Sequence, residues 1–183
     1  MQPGARTPAP ASLLPAQDLV NTLDLEAERD LLGSPADLRR WAKEHAVRGR
    51  SFGADDLADT IEFREALRAV CLSHTGVEVP AASAAVLDRL LRRAPLLLTV
   101  ETAGVSVRPA DGLDGAEAVV ALVAAGIAQA SADGSWPRLK ACASDRCRWV
   151  YYDRSPSGRS RWCTMAICGS RAKMRAYRER SKA

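Results

Sequence analysis

Four of the five cysteines in this 183-residue chain fall in two short pairs, Cys142 with Cys147 and Cys163 with Cys168, in the pattern C-x4-C-x15-C-x4-C. Two such pairs let two loops each offer two thiolates to one ion, and a tetrahedral set of soft thiolates selects zinc over magnesium or calcium. An iron–sulfur cluster is the alternative occupant, and two disulfides are the metal-free alternative, disfavoured in a reducing compartment. Four cysteines saturate a tetrahedral ion and leave no position for water, so the expected cofactor is one structural Zn2+ rather than a Lewis acid. Residues 138–183 have few apolar side chains to bury, whereas zinc binding supplies about 10–16 kcal/mol in small zinc peptides. The metal is expected to build this part of the fold.

Between the two pairs, Arg148–Asp153 (RWVYYD) is rich in aromatic and β-branched residues and predicts a strand. Ser155-Pro156-Ser157-Gly158 predicts a turn, after which Arg159-Ser160-Arg161-Trp162 returns toward Cys163, giving a zinc-clasped hairpin. Trp149, Tyr151 and Trp162 are read as a cover over the metal, with stacking on bases as the alternative.

Charge divides the chain at the same place. Residues 1–137 carry 13 Lys/Arg against 19 Asp/Glu, whereas residues 138–183 carry 13 against 3. So dense a positive segment attracts polyanions. After Cys168, strong helix formers run from Arg171 to Lys182. Arg171, Arg175, Arg178 and Lys182 fall at i, i+4, i+7 and i+11 and make one cationic stripe, while Lys173 and Arg180 widen the field. Met174 and Tyr177, on a neighbouring face, are expected to pack back on the zinc hairpin. With Arg159 and Arg161, these cations are the candidate nucleic-acid contacts; a merely solvated helix face is the alternative, though such a face normally mixes signs and Glu179 is the only acid here.

The acidic part predicts a mostly helical domain over residues 17–133, preceded by a Pro-rich disordered tail over residues 1–16 and followed by a short linker at Ala132–Ser135. Ser34-Pro35-Ala36-Asp37 is a helix start, with Leu38, Trp41 and Ala42 as its apolar face. Further helices are expected over about 55–74, 81–93 and 115–130, the last opened by Asp114. Leu96–Glu101 and Val105–Arg108 read as a β-hairpin. The fold class is thus α+β, mostly α: a helical N-terminal domain with one hairpin, then a small four-cysteine zinc finger over 138–183 ending in a basic helix.

Catalysis has no visible seat in this pattern, and an enzyme is not expected. His45 and His74 sit at helix ends and read as capping or solvated side chains. Cys71 lies on a core-facing stripe and reads as a buried structural thiol. Asp18, Asn21, Asp24 and Glu26 cluster near the first helix, where capping is the leading reading and a pocket the alternative. The longest apolar stretch, Ala118 to Ala128, has 11 residues, short of the roughly 20 that span a bilayer. The first residues lack the apolar core of a signal peptide, so a cytoplasmic address is expected.

ICGSRAKMRAYR, with LKACASDRCRWVYYD and GRSRWC upstream, resembles the signature of CGNR zinc-finger proteins, and LVNTLDLE and SPADLRRW are similar to their N-terminal ABATE domain. The resemblance covers nearly all of the chain after residue 16. It implies a bacterial, stress-related transcriptional regulator whose four zinc ligands are Cys142, Cys147, Cys163 and Cys168. Ser170 stands where the family has Asn; Ser also starts helices well, but it lacks the amide. The expected function is zinc-dependent DNA binding through residues 138–183, with residues 17–133 sensing a small-molecule signal or forming a homodimer. RNA binding, or docking of the basic segment on an acidic protein partner, are the alternatives.

Overall fold

The computed structural model describes residues 8–181 apart from 48, 50 and 103. Its elements are α1 (Leu14–Val20), β1 (Leu23–Asp24), β2 (Arg29–Asp30), α2 (Pro35–Glu44), α3 (Ala54–Ser73), α4 (Ala81–Arg92), β3 (Leu96–Glu101), β4 (Gly104–Pro109), α5 (Gly115–Ala132), β5 (Leu139–Ala141), β6 (Val150–Tyr152) and α6 (Ser170–Arg180). The strands form three separate antiparallel pairs, β1 with β2, β3 with β4 and β5 with β6.

Local chemistry accounts for the helix starts. The Ser34 hydroxyl accepts from the Asp37 N–H ahead of α2, with Pro35 at the first helical position, where its missing N–H costs nothing. Asp56 starts two helices at once: one carboxylate oxygen accepts from the Gly53 N–H at 2.7 Å, the other from the Ala116 N–H at 2.9 Å. Only glycine fits at 115, because φ is +52° and a Cβ there would come within 2.0 Å of the Asp56 carboxylate.

The core lies around α3 and α5. Ten of the 18 residues of α5 are buried, among them Val119, Val120 and Val123. Helix α5 is long and apolar enough to cross a membrane, and it extends beyond the 11-residue apolar run at both ends; here its apolar surface is taken up by the core. Helix α4 is pinned to α3 by Asp59, which binds Arg89 at 3.0 Å and Arg93 at 2.8 Å.

Two expectations are corrected at this level. Residues 1–7 lie outside the described residues, but 8–16 are not a loose tail: Ala9, Leu13 and Ala16 are buried, and α1 begins at Leu14. The segment crosses α5 at Gly126, where a Cβ would come within 1.9 Å of the Ser12 carbonyl oxygen, so this one glycine lets a proline-rich strand of chain lie flush on a helix. Second, β6 does not pair with the 159–162 return. It pairs with β5, in the register Leu139↔Tyr152, Lys140↔Tyr151 and Ala141↔Val150.

The β5–β6 hairpin joins the main core. Leu139, Ala141 and Val150 are all fully buried in the same cluster as Leu19, Phe63 and Val119. A second, smaller cluster gathers Cys142, Cys147, Tyr151, Cys163 and Cys168 under Trp149, Trp162 and Ile167. By contrast, β3–β4 leaves one face largely uncovered, with Leu98 65% exposed, Val100 72% and Val105 64%.

Candidate metal centre and basic helix

Cys142 follows directly on β5, and its N–H continues the ladder by donating to the Trp149 carbonyl at 2.9 Å. The chain then turns tightly: the N–H groups of Cys147 and Arg148 both donate to the Ser144 carbonyl, and Arg148 takes a left-handed φ of +50°. The second pair is carried by the return limb, which is tied to the first by a hydrogen bond from the Ala143 N–H to the Arg161 carbonyl at 2.9 Å. A π-helical turn at Met165–Gly169 carries Cys168 and runs straight into α6.

The four Sγ atoms all lie within 4.8 Å of one another, Cys147 and Cys163 at 3.6 Å, Cys163 and Cys168 likewise at 3.6 Å. Zn–S bonds of about 2.3 Å in a tetrahedron set sulfurs about 3.8 Å apart, so the cage fits one zinc ion. All four cysteines are buried. Their protonation is mutually opposed: hydrogen bonding from Cys147 and Cys163 pulls the Cys142 thiol down, while the same contacts with Cys142 push Cys147 up and Cys163 up to about 12. Four thiolates this close require a cation among them, and with four protein ligands a zinc ion here is structural.

The site is braced from below by groups that the sequence analysis did not single out. Lys140 is buried and its ammonium donates to Asp153 Oδ2 at 2.9 Å and to the carbonyls of Gly158 and Ser160. Asp153 also accepts from the N–H groups of Ser155 and Ser160 at 3.0 and 2.9 Å. Side chains, not a strand ladder, therefore hold the 153–160 loop, which is why Arg159–Trp162 is irregular where a strand was expected. Burial works against the Asp153 carboxylate, but hydrogen bonds from Ser155 and Lys140 outweigh it and hold its pKa down to about 2.

The helical domain supplies the rest of the frame. Arg68, buried on α3, donates to the Arg148 carbonyl at 3.1 Å and to the Val20 carbonyl at 2.8 Å, and is itself held by Glu65. Arg64, one turn earlier, reaches Thr22 and Asp30. The signal was present in FREALR: Arg64 and Arg68 share the stripe of buried Thr60 and Cys71, an odd place for two guanidinium groups unless they have partners. His74, the C-cap of α3, bonds the Leu139 carbonyl at 2.7 Å through Nδ1.

The acidic cluster near α1 is not one pocket, and of its four members Asn21 is the helix cap, at the C-terminal end of α1. Asp18 lies 3.2 Å from His45 Nε2, and Asp24 folds the β1–β2 turn by accepting from the N–H groups of Glu26 and Ala27. Asn21 reaches the backbone of Val150, and Glu26 pairs with Arg171 at 2.6 Å. Cys71 is buried, and desolvation pushes its thiol up to about 12.

Of the candidate nucleic-acid contacts, Arg171, Arg175 and Arg178 line one side of a cleft of about 1300 Å³ between α6 and the β1–β2 turn. At 100° per residue, Lys173 and Arg180 point from the opposite side of α6. All five are exposed, as are Arg159 and Arg161, and Lys182 lies outside the described residues. Met174 and Tyr177 do not pack back on the hairpin; they are 53% and 62% exposed, and α6 has no buried residue. The turn that contains Cys168 anchors the helix at its start and Arg171 pairs with Glu26, while the remaining side chains radiate into solvent. Ser170 is not an N-cap either: the helix is already under way, and the Ser170 hydroxyl donates back to the Met165 carbonyl at 3.0 Å.

A buried four-cysteine cage fused to a mostly helical domain and extended by an exposed basic helix defines a zinc-finger protein of two parts. Family models match both. One described as a CGNR zinc finger matches residues 138–181, and the ABATE model, described as "Putative stress-induced transcription regulator", matches residues 14–134. The chain belongs to the ABATE family and carries a C-terminal CGNR zinc finger. No curated protein matches it.

Proposed function

We propose that this chain is a zinc-dependent DNA-binding transcription regulator in which α6 contacts DNA and the ABATE domain receives the signal. The observation that carries this reading is the exposure of α6: Arg175, Arg178, Lys173 and Arg180 all stand in solvent on a helix fixed at one end by the zinc cage. Such an array meets phosphates and releases their counterions. Two features support the regulatory half. A cavity of about 470 Å³ lined by Val47, Leu113, Ala118 and Leu122 has the size and apolar walls of an effector site. Leu98, Val100 and Val105 share the open face of the β3–β4 hairpin and suit a homodimer contact.

The test is the affinity of the zinc-loaded full chain for mixed-sequence duplex as salt rises. Four or five phosphate contacts predict a log–log slope of roughly −4. Replacing Arg171, Arg175 and Arg178 together by Gln weakens binding without releasing zinc. An affinity indifferent to salt, or no binding at low salt, overturns the reading. Single-stranded RNA that competes better than duplex DNA would move the assignment to RNA.

A further inference from the structure

The cleft beside α6 has two walls of opposite charge. On one side stand Arg171, Arg175 and Arg178; on the other, the β1–β2 turn presents Glu26 and Glu28. The pair Glu26–Arg171 closes across it at 2.6 Å, joining residues 145 positions apart. The turn is not a loose loop that happens to touch. Its backbone is set by the buried Asp24, which accepts from two successive N–H groups, and Glu28 holds a left-handed φ of +51°. Arg64 fixes the far side of the turn through Asp30 at 2.7 Å.

We propose that the β1–β2 turn is an autoinhibitory plug, with Glu26 standing where a nucleic-acid phosphate would pair with Arg171, so that DNA must displace it to use the cationic face of α6. The inference rests on the DNA-binding reading and adds its control. An ion pair with both partners about half exposed is weak enough to be displaced. A phosphate backbone brings several charges to the same stripe, so it outcompetes a single carboxylate once aligned, and a shift of the β1–β2 turn that parts Glu26 from Arg171 changes DNA affinity.

The experiment measures duplex affinity at low salt for the zinc-loaded full chain and for Glu26→Gln, Glu26→Lys and Glu101→Gln. Glu101, at the tip of the β3–β4 hairpin, controls for the change in net charge. Glu26→Gln should tighten binding about threefold and Glu26→Lys about tenfold, while Glu101→Gln changes it much less. In an Arg171→Gln background, Glu26→Gln should have almost no effect, and its advantage over wild type should shrink as salt screens the pair. Equal tightening by Glu26→Gln and Glu101→Gln, or no tightening by either while wild type binds, overturns the plug and leaves DNA binding intact. Failure of every form to bind at low salt overturns both.

Discussion

The carboxamide of Asn21 meets both backbone groups of Val150: Oδ1 accepts from the Val150 N–H at 2.8 Å, and Nδ2 donates to the Val150 carbonyl at 2.8 Å. Because Cys142 pairs with Trp149 on the β5 side of β6, the backbone N–H and carbonyl of Val150 point away from β5 while its side chain stays in the core, and Asn21 completes that edge as a neighbouring strand would. The C-cap of α1 is thereby fastened to the strand that leads out of the first cysteine pair.

Asn21→Ala leaves the Val150 N–H without its partner in a part-buried setting, and the cost should be about 1–3 kcal/mol. Urea unfolding of the zinc-loaded chain reads it as a lower midpoint with an unchanged slope. An unchanged midpoint would mean that water replaces the amide at no cost.

Removing zinc should lower the melting temperature of the whole chain and not merely erase a separate small transition. The reason is that Leu139, Ala141 and Val150 of the cysteine-bearing hairpin are buried in the main core. Calorimetry before and after a strong chelator, with zinc release followed by a colorimetric dye, checks this. Full zinc release with an unaltered melting curve counts against the metal as a structural element.

Lys140 and Asp153 are both almost wholly buried, at 3% and 2% side-chain exposure, so deleting one partner strands the other's charge. Lys140→Met should cost roughly 3–5 kcal/mol, and the double change Lys140→Met/Asp153→Leu should cost less than the single one. The pair also gives an acid signature. With the Asp153 pKa held down to about 2, its contribution is complete above the ordinary carboxylate pKa of about 3.9 and is lost as pH falls from there toward 2.

The two histidines should titrate in opposite directions from the ordinary value. The hydrogen bond to Asp18 raises the pKa of His45, so its stabilisation is present below about 6.5 and fades as pH rises through the folded value. Burial lowers the pKa of His74, so its contribution is present above about 6.5 and is lost on acidification through the folded value. Proton NMR resolves the two rings. Asp18→Asn should bring His45 back down and leave His74 where it is.

The cysteine spacing made the metal centre legible, since four thiolates in two short pairs have few other uses, and the Ser34 and Asp114 caps marked α2 and α5 in the same direct way. The choice of strand partner was not legible. Arg148–Asp153 carries the composition of a strand, but nothing in composition says that its partner is Leu139–Ala141 and not the nearer 159–162 limb. Cation counts misled for a related reason. Lys140 is sealed against Asp153, Arg138 serves the carbonyls of Asp153 and Ser155, and Arg148 pairs with Asp145, so the outward field comes chiefly from α6 and Arg159 and Arg161. Periodicity likewise gave Met174 and Tyr177 an inward face that a helix anchored at one end does not possess.

The seat of Ser12 on Gly126 bears on where this domain can be cut. A fragment trimmed to Leu14, the first residue of the ABATE match, would lose Ala9 and Leu13 and open a trough along α5. Shared ancestry and physical integrity therefore begin at different residues, and a trimmed fragment would expose apolar surface that invites aggregation.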